Sequence, residues 1–192
     1  KHLLLEKPIA LHADQARDLQ RLALARGLSV AVDYEYRAVP LFMQAARLLQ
    51  AGAVGTPWLV KLDWLMGSRA DPQRGWNWYA QADQGGGVIG ALGTHAMDML
   101  AWLIGPLGAV QALNSVSIKQ RPHPDGGLAV VDAPDVSLLQ TVAHWQGRQD
   151  LPVPAQVSLS SVSRNGRGFC LDVVGSSGSL LLSSTNQEDY VH

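Results

Sequence analysis

Two hydrophobic periodicities follow one another along this chain, and their order restricts the fold more than any other feature. Up to about residue 104, apolar side chains recur at helical spacing in three segments, 14–26, 40–50 and 88–104. In the first, Ala16, Leu19, Leu22, Ala23 and Arg26 fall three and four apart, and Gly27 stops the run. Pro40 suits the first turn of the second, and Gly105-Pro106 closes the third. After that point the pattern is strand-like, near 109–119, 135–145, 155–163, 168–174 and 179–183. Gly166 and Ser177-Gly178 mark tight reversals, and 121–134 and 146–154 read as loops rich in Pro, Gly and Asp. Helices first and strands afterwards predict an α+β fold: a mostly antiparallel open sheet with helices on one face.

Three further strands come earlier in the chain, the last of them, about 57–67, expected to join the same sheet. Leu3 to Leu5 is a brief apolar run, and 28–32 reads as a buried strand. Residues 58–66 alternate, placing Trp58, Val60, Leu62 and Trp64 on one face. Between them and the third helix lies a long loop, 67–87, rich in Trp, Gly and Asp, of a kind that is often functional. The chain opens on an apolar run and not on Met, which reads as the interior of a larger protein.

Composition narrows the function classes. Fifteen basic and sixteen acidic residues give a net charge of −1, with no basic stripe, so nothing favours nucleic acid. One cysteine, Cys170, excludes an intrachain disulfide framework and a cysteine-rich metal site, and fits a cytoplasmic location. No metal is implied. No apolar run approaches the roughly 18 residues of a membrane span, and no signal peptide is visible.

Gly85-Gly86-Gly87-Val88-Ile89-Gly90 satisfies G-x-G-x-x-G literally. That motif binds a dinucleotide only after a buried strand, and here the preceding 79–84 is polar loop, so it is read as a glycine-rich entry to a helix. Glu6-Lys7-Pro8 follows a strand, the place where open α/β sheets hold their ligands. Taken alone, Lys7 also fits a plain surface charge. His95, Asp98 and Trp102 share a helix face. His95 is a candidate for proton transfer, or equally a structural histidine satisfied by Asp98.

Four motifs in order give the chain a family likeness. Glu6-Lys7-Pro8, Tyr36-Arg37 with Pro40, Gly85-Gly86-Gly87 followed by Gly93-x-His95-x-x-Asp98, and the closing 174–180 resemble the Gfo/Idh/MocA oxidoreductases along essentially the whole chain. The resemblance implies that residues 1–35 are the remnant of a Rossmann dinucleotide-binding domain and 36–192 a substrate-binding and oligomerisation domain. It implies NAD or NADP as cofactor and a sugar, cyclitol or similar polyol as substrate. Catalytic roles fall to Lys7, on the reacting oxygen, and His95, moving the hydroxyl proton. Glu6, Lys7 and Pro8 would shape the nicotinamide end. Arg37, Asp98, Trp76 and Trp78 would face the substrate, although the two tryptophans equally suit pinning the loop.

The phosphate-binding loop of such a domain is absent, so the stretch by itself is expected to be inactive. Many family members carry Asp one turn before the histidine; here that place is Ala91. Two further readings follow from these departures: a relative that uses NAD transiently in glycoside cleavage, and a non-catalytic binding or dimerisation module. A homo-oligomer is expected through the helix-free sheet face, where Ser115, Ser117, Ser158, Ser160 and Ser163 would make a smooth, weakly polar surface.

Overall fold

The computed structural model describes residues 1–184; the expected second domain runs to residue 192, so its last residues lie outside that range. The chain begins with a βαβ unit. Strands β1 (Leu3–Glu6) and β2 (Val30–Asp33) pair in parallel, with helix α1 (Ala13–Ala25) between them. Gln15 fixes the start of α1, its Oε1 accepting from the backbone N–H groups of Leu11 and His12. Only Ala23 of α1 is buried, and Leu4 and Leu24 are each 72% exposed.

The main body is one six-stranded sheet with helices α2 (Pro40–Gln50) and α3 (Thr94–Leu103) on one face. Its strands are β3 (Pro57–Leu65), β4 (Leu107–Ser115), β7 (Val136–His144), β8 (Pro152–Ser160), β9 (Gly168–Gly175) and β10 (Ser179–Ser184), in the order β10-β9-β3-β8-β7-β4. Between β4 and β7 in sequence, β5 (Gln120–Pro122) and β6 (Leu128–Val130) form a separate hairpin where a loop was expected. Three-residue strands around a turn give too short an alternation to read.

The α+β class is as expected, but the sheet is mixed. The late strands do not simply follow one another as hairpins: β3 inserts between β8 and β9. It pairs antiparallel with β9 and parallel with β8, because a crossover through α3, β4 and β7 separates the two parallel strands.

Phe42, Leu49, Met99 and Leu100 of the two helices meet Val60, Leu62, Trp64, Leu159, Phe169 and Leu171 of the sheet in one core. Trp58 departs from its expected place on that buried face and is 62% exposed. A register shift between Pro57 and Leu59 makes the start of β3 a bulge, and the alternation that buries Val60, Leu62 and Trp64 begins only after it. On the open face, Leu113 and Leu181 are exposed, at 69% and 63%. Ser158 lies there half-buried, whereas Ser160 is buried, its Oγ accepting from the N–H of Val162.

The long loop after β3 is held by arginines on backbone carbonyls. Buried Arg121 donates to the carbonyls of Arg69 and Asp71, and Arg164 to that of Ala70. Two single helical turns, Trp78–Ala80 and Ala82–Gln84, carry the loop to the glycines, and Asp132 accepts from the Ala82 N–H.

Candidate active site

The glycines before α3 are needed for space. A Cβ at Gly86 would stand 2.5–2.7 Å from the carbonyl oxygens of Tyr79, Trp78 and Gln81. One at Gly90 would stand 1.8 Å from the oxygen of Gly85. Gly87 has φ +74°, and its Cβ would meet the Pro134 oxygen at 2.4 Å. The run leads from a 3-10 turn into a π-helical turn, Ile89–Gly93, and not from a strand into an α-helix. The geometry of a phosphate loop is therefore missing here, as the context of the motif predicted.

The π turn delivers His95 at the start of α3. His95 is buried, 3% exposed, and its imidazole sits inside an aromatic box. Tyr36, Tyr34 and Trp64 surround it at centroid distances of 4.8, 5.9 and 6.2 Å. Its Nδ1 makes no hydrogen bond, while Nε2 lies 3.6 Å from Oε1 of Glu35.

Lys7 arrives from the end of β1. Its Nζ donates to the carbonyl of Ala91 at 3.1 Å, one turn before His95 on the same helical run. The Lys7–Pro8 peptide is cis. Glu6 turns back, its Oε2 accepting from the Lys7 backbone N–H at 3.2 Å. Burial and then the charge of Lys7 push the His95 pKa down from its ordinary value near 6.5 to about 4, against the weaker opposing pull of Asp98 and Glu6.

This shift has a consequence for stability. Between pH 6.5 and 4 the unfolded chain holds the histidine proton and the folded one does not, so stability falls as pH falls through that window. Above it neither state is protonated and the group contributes no pH dependence. For one proton the slope is at most about 1.4 kcal/mol per pH unit. Urea unfolding at stepped pH is expected to show a shallower decline for His95→Asn than for the native chain. Parallel curves would contradict a buried, neutral His95.

Asp98 does not orient the histidine. Both of its oxygens are taken by Arg37, at 2.8 Å from Nε and 2.6 Å from a terminal nitrogen. Arg37 also lies over the Trp102 ring at 5.7 Å. The Arg37–Asp98 pair borders an apolar cleft of about 620 Å³ lined by Tyr34, Thr94, Met97 and Asp98. A second cavity, about 350 Å³, runs past Pro8, Gly85, Gly86 and Gly90, and both are lined by Ile89 and Thr94.

Trp76 is pinned to the β5–β6 hairpin, where its Nε1 donates to the Val130 carbonyl at 2.9 Å and its ring lies against His123. Trp78 is 53% exposed and touches Tyr79. The structure thus groups Lys7, Glu6, His95, Arg37 and Asp98, and gives Trp76 contacts that belong to the loop. It adds Tyr34, Glu35, Tyr36 and Trp64, which the sequence reading did not single out as site residues. For Tyr34, Glu35 and Tyr36 the signal was adjacency to Arg37, too general to act on, and Trp64 read only as a core residue of its strand.

A family model described as the GFO/IDH/MocA C-terminal domain matches residues 42–181. The chain belongs to the Gfo/Idh/MocA family. An uncharacterized oxidoreductase of Synechocystis is 45% identical to it over the whole chain, which covers 51% of that relative. Levoglucosan dehydrogenase of Pseudarthrobacter phenanthrenivorans is 29% identical over 66% of the chain and 33% of its own length. The chain thus spans about half the length, or less, of the curated relatives it matches. Among solved structures, the apo form of levoglucosan dehydrogenase superposes with a TM-score of 0.87, at 24% identity, over 99% of this chain and 50% of that one. The same dehydrogenase has been solved with NADH and L-sorbose and with NADH and levoglucosan. No helix among the described residues of this Gfo/Idh/MocA chain is long and apolar enough to cross a membrane.

Proposed function

We propose that this chain forms the substrate-facing part of an NAD(P)-dependent dehydrogenase or reductase that acts on a sugar, cyclitol or related polyol. The observation that carries the reading is the convergence of Lys7 and His95, from a strand end and a helix start, with their chain neighbours Pro8 and Thr94 lining adjoining cavities. The names of the relatives support it, since levoglucosan dehydrogenase takes a sugar and NADH.

Residues 1–35 fit a portion of the dinucleotide domain: a parallel βαβ unit with apolar side chains on its outer surface. Pro8 lines the smaller cavity together with Gly85, Gly86 and Gly90, and that cavity offers room for a flat ring. Glu6, Lys7 and Pro8 would hold the nicotinamide end there. When bound, that cofactor supplies a carbon that accepts or gives a hydride. Lys7 places positive charge on the reacting oxygen and stabilises its developing negative charge. His95, neutral and desolvated, takes or returns the hydroxyl proton. Arg37 and Asp98 would bound the substrate side, and the exposed Trp78 would cover it.

The test is the intact protein that carries this chain, supplied with NAD or NADP and a panel of levoglucosan, aldoses, ketoses and cyclitols. Change in nicotinamide absorbance with at least one of them supports the proposal. Silence across the panel with both cofactors sinks it, and sugar release without net cofactor change would favour a transient use of NAD.

The open sheet face is proposed to join copies of the protein. Leu138, Val142, Val174 and Leu181 stand exposed there among Ser158, Gln140 and Gln156. Replacing Ser158 with Lys puts a desolvated charge at the middle of such an interface. Light scattering on the intact protein is expected to report an oligomer, and Ser158→Lys a smaller species. A native monomer at micromolar concentration would remove the idea.

A further inference from the structure

His95 has no carboxylate where its own helix would offer one. The position one turn earlier is Ala91, and its carbonyl is already occupied by Lys7. Asp98, on the other side, is held on both oxygens by Arg37. Among the described residues, the one carboxylate within ion-pair range of the imidazole is Glu35, with Oε1 3.6 Å from Nε2. It comes from the short helical turn after β2, Glu35–Ala38, flanked by the two tyrosines that box the ring. The His95 side chain is 4% exposed and that of Glu35 is 53% exposed.

We propose that Glu35 is the positioning residue of His95, steadying the imidazole when Nε2 is protonated and forming the path by which its proton reaches water. The inference rests on the Lys7–His95 reading of the site. In the oxidative direction the substrate O–H bond breaks as an N–H bond forms at Nε2. With the nicotinamide bound, the carbon-bound hydrogen would leave as hydride to it. The proton then passes from Nε2 to a Glu35 oxygen and on to solvent, and Nε2 is free again. No other reactant is consumed.

A separation of 3.6 Å is longer than a hydrogen bond. Such contacts commonly tighten once substrate fills the site. The other charged or titratable groups facing the ring are Lys7 and Glu6 from the end of β1, Tyr34 from the segment after β2, Tyr36 from the same turn as Glu35, and Asp98 from α3. Lys7 opposes a proton on His95, and Asp98 is engaged elsewhere. Glu35 is thus the carboxylate placed to receive one.

Two readouts separate this inference from the broader one. The first needs no substrate. Isotope labelling of histidine ring nitrogens in the intact protein, with His95→Asn to identify the signal, reports which nitrogen carries hydrogen. With Glu35 present, the ring is expected to gain its second hydrogen, at Nε2, at a higher pH than in Glu35→Gln, the midpoints differing by about half a pH unit or more. An unchanged midpoint overturns the proposal, whether or not a substrate has been found.

The second readout is kinetic. On the sugar the intact protein turns over best, Glu35→Gln is expected to lower kcat about tenfold with little change in KM. Glu35→Asp is expected to recover part of the loss. Adding Ala91→Asp to Glu35→Gln, which supplies a carboxylate from the preceding turn, is expected to recover more. If Lys7→Met and His95→Asn abolish turnover while Glu35→Gln leaves kcat and its pH profile alone, the Glu35 role fails and the site reading stands. If Lys7→Met is harmless, the site reading fails first.

Discussion

Replacing Lys7 with Met in the intact protein is expected to lower kcat by about 10²–10³, with KM for the sugar changed only severalfold. The lysine charge sits near the His95 ring, and its Nζ is fixed on the Ala91 carbonyl, one turn before that histidine. Charge placed in advance where an alkoxide develops acts on the transition state more than on the bound substrate. Met keeps the length of the stem and loses only the cation. Lys7→Arg is not expected to restore the rate, because a planar guanidinium cannot reproduce a single point donor against one carbonyl. Steady-state kinetics on the wild type and both variants decide the matter. A Met variant within tenfold of the native kcat would remove Lys7 from the chemistry.

The largest expected loss of stability belongs to Trp64→Ala. Trp64 is fully buried in the middle of the sheet and packs edge-on against Tyr36 and Phe169, each at 5.3 Å between ring centroids. Removing it opens a cavity at the junction of β3, β9 and the aromatic box, at a cost of about 3–5 kcal/mol. Guanidinium unfolding is expected to show this as a lower midpoint with an unchanged slope. The same substitution removes one wall around His95, so its pKa is expected to rise from about 4 back toward its ordinary value. A loss below about 1 kcal/mol would mean that the site can collapse around the missing indole.

Much of the fold was legible because helical and alternating patterns occupy separate stretches of the chain. The helices α1, α2 and α3 and the strands β4, β7, β8, β9 and β10 fall close to where periodicity placed them. What escaped was long-range order. Nothing local to residues 57–65 says that they pair between two strands written after residue 150, so the parallel contact at the centre of the sheet was invisible. Trp58 was misplaced for a local reason of the same kind, since a one-residue bulge reverses every side chain beyond it.

The site divides similarly. Lys7 and His95 were legible from their places at a strand end and on a helix, read together with the order of motifs. The box around His95 was not, because Tyr34, Tyr36 and Trp64 are ordinary core-like aromatics until the fold brings them together. Asp98 was a reasonable partner for the histidine by spacing alone. A guanidinium offers two parallel donors to a carboxylate, and Arg37 claimed both oxygens.

The insertion of β3 between β8 and β9 also sets a timetable for assembly. As the polypeptide leaves the ribosome, β3 is made long before either neighbour, and its backbone donors and acceptors wait through roughly a hundred residues of further synthesis, about 5–20 s at common elongation rates. Pairings so distant in sequence carry a large loop-closure cost and slow the folding step that depends on them. During that interval Val60, Leu62 and Trp64 are an apolar strand without a sheet, relieved only by Lys61 and Asp63 on its other side. Those two charges then act as gatekeepers for the nascent chain, and apolar replacements there are expected to show first as lost soluble yield and not as a weaker native state.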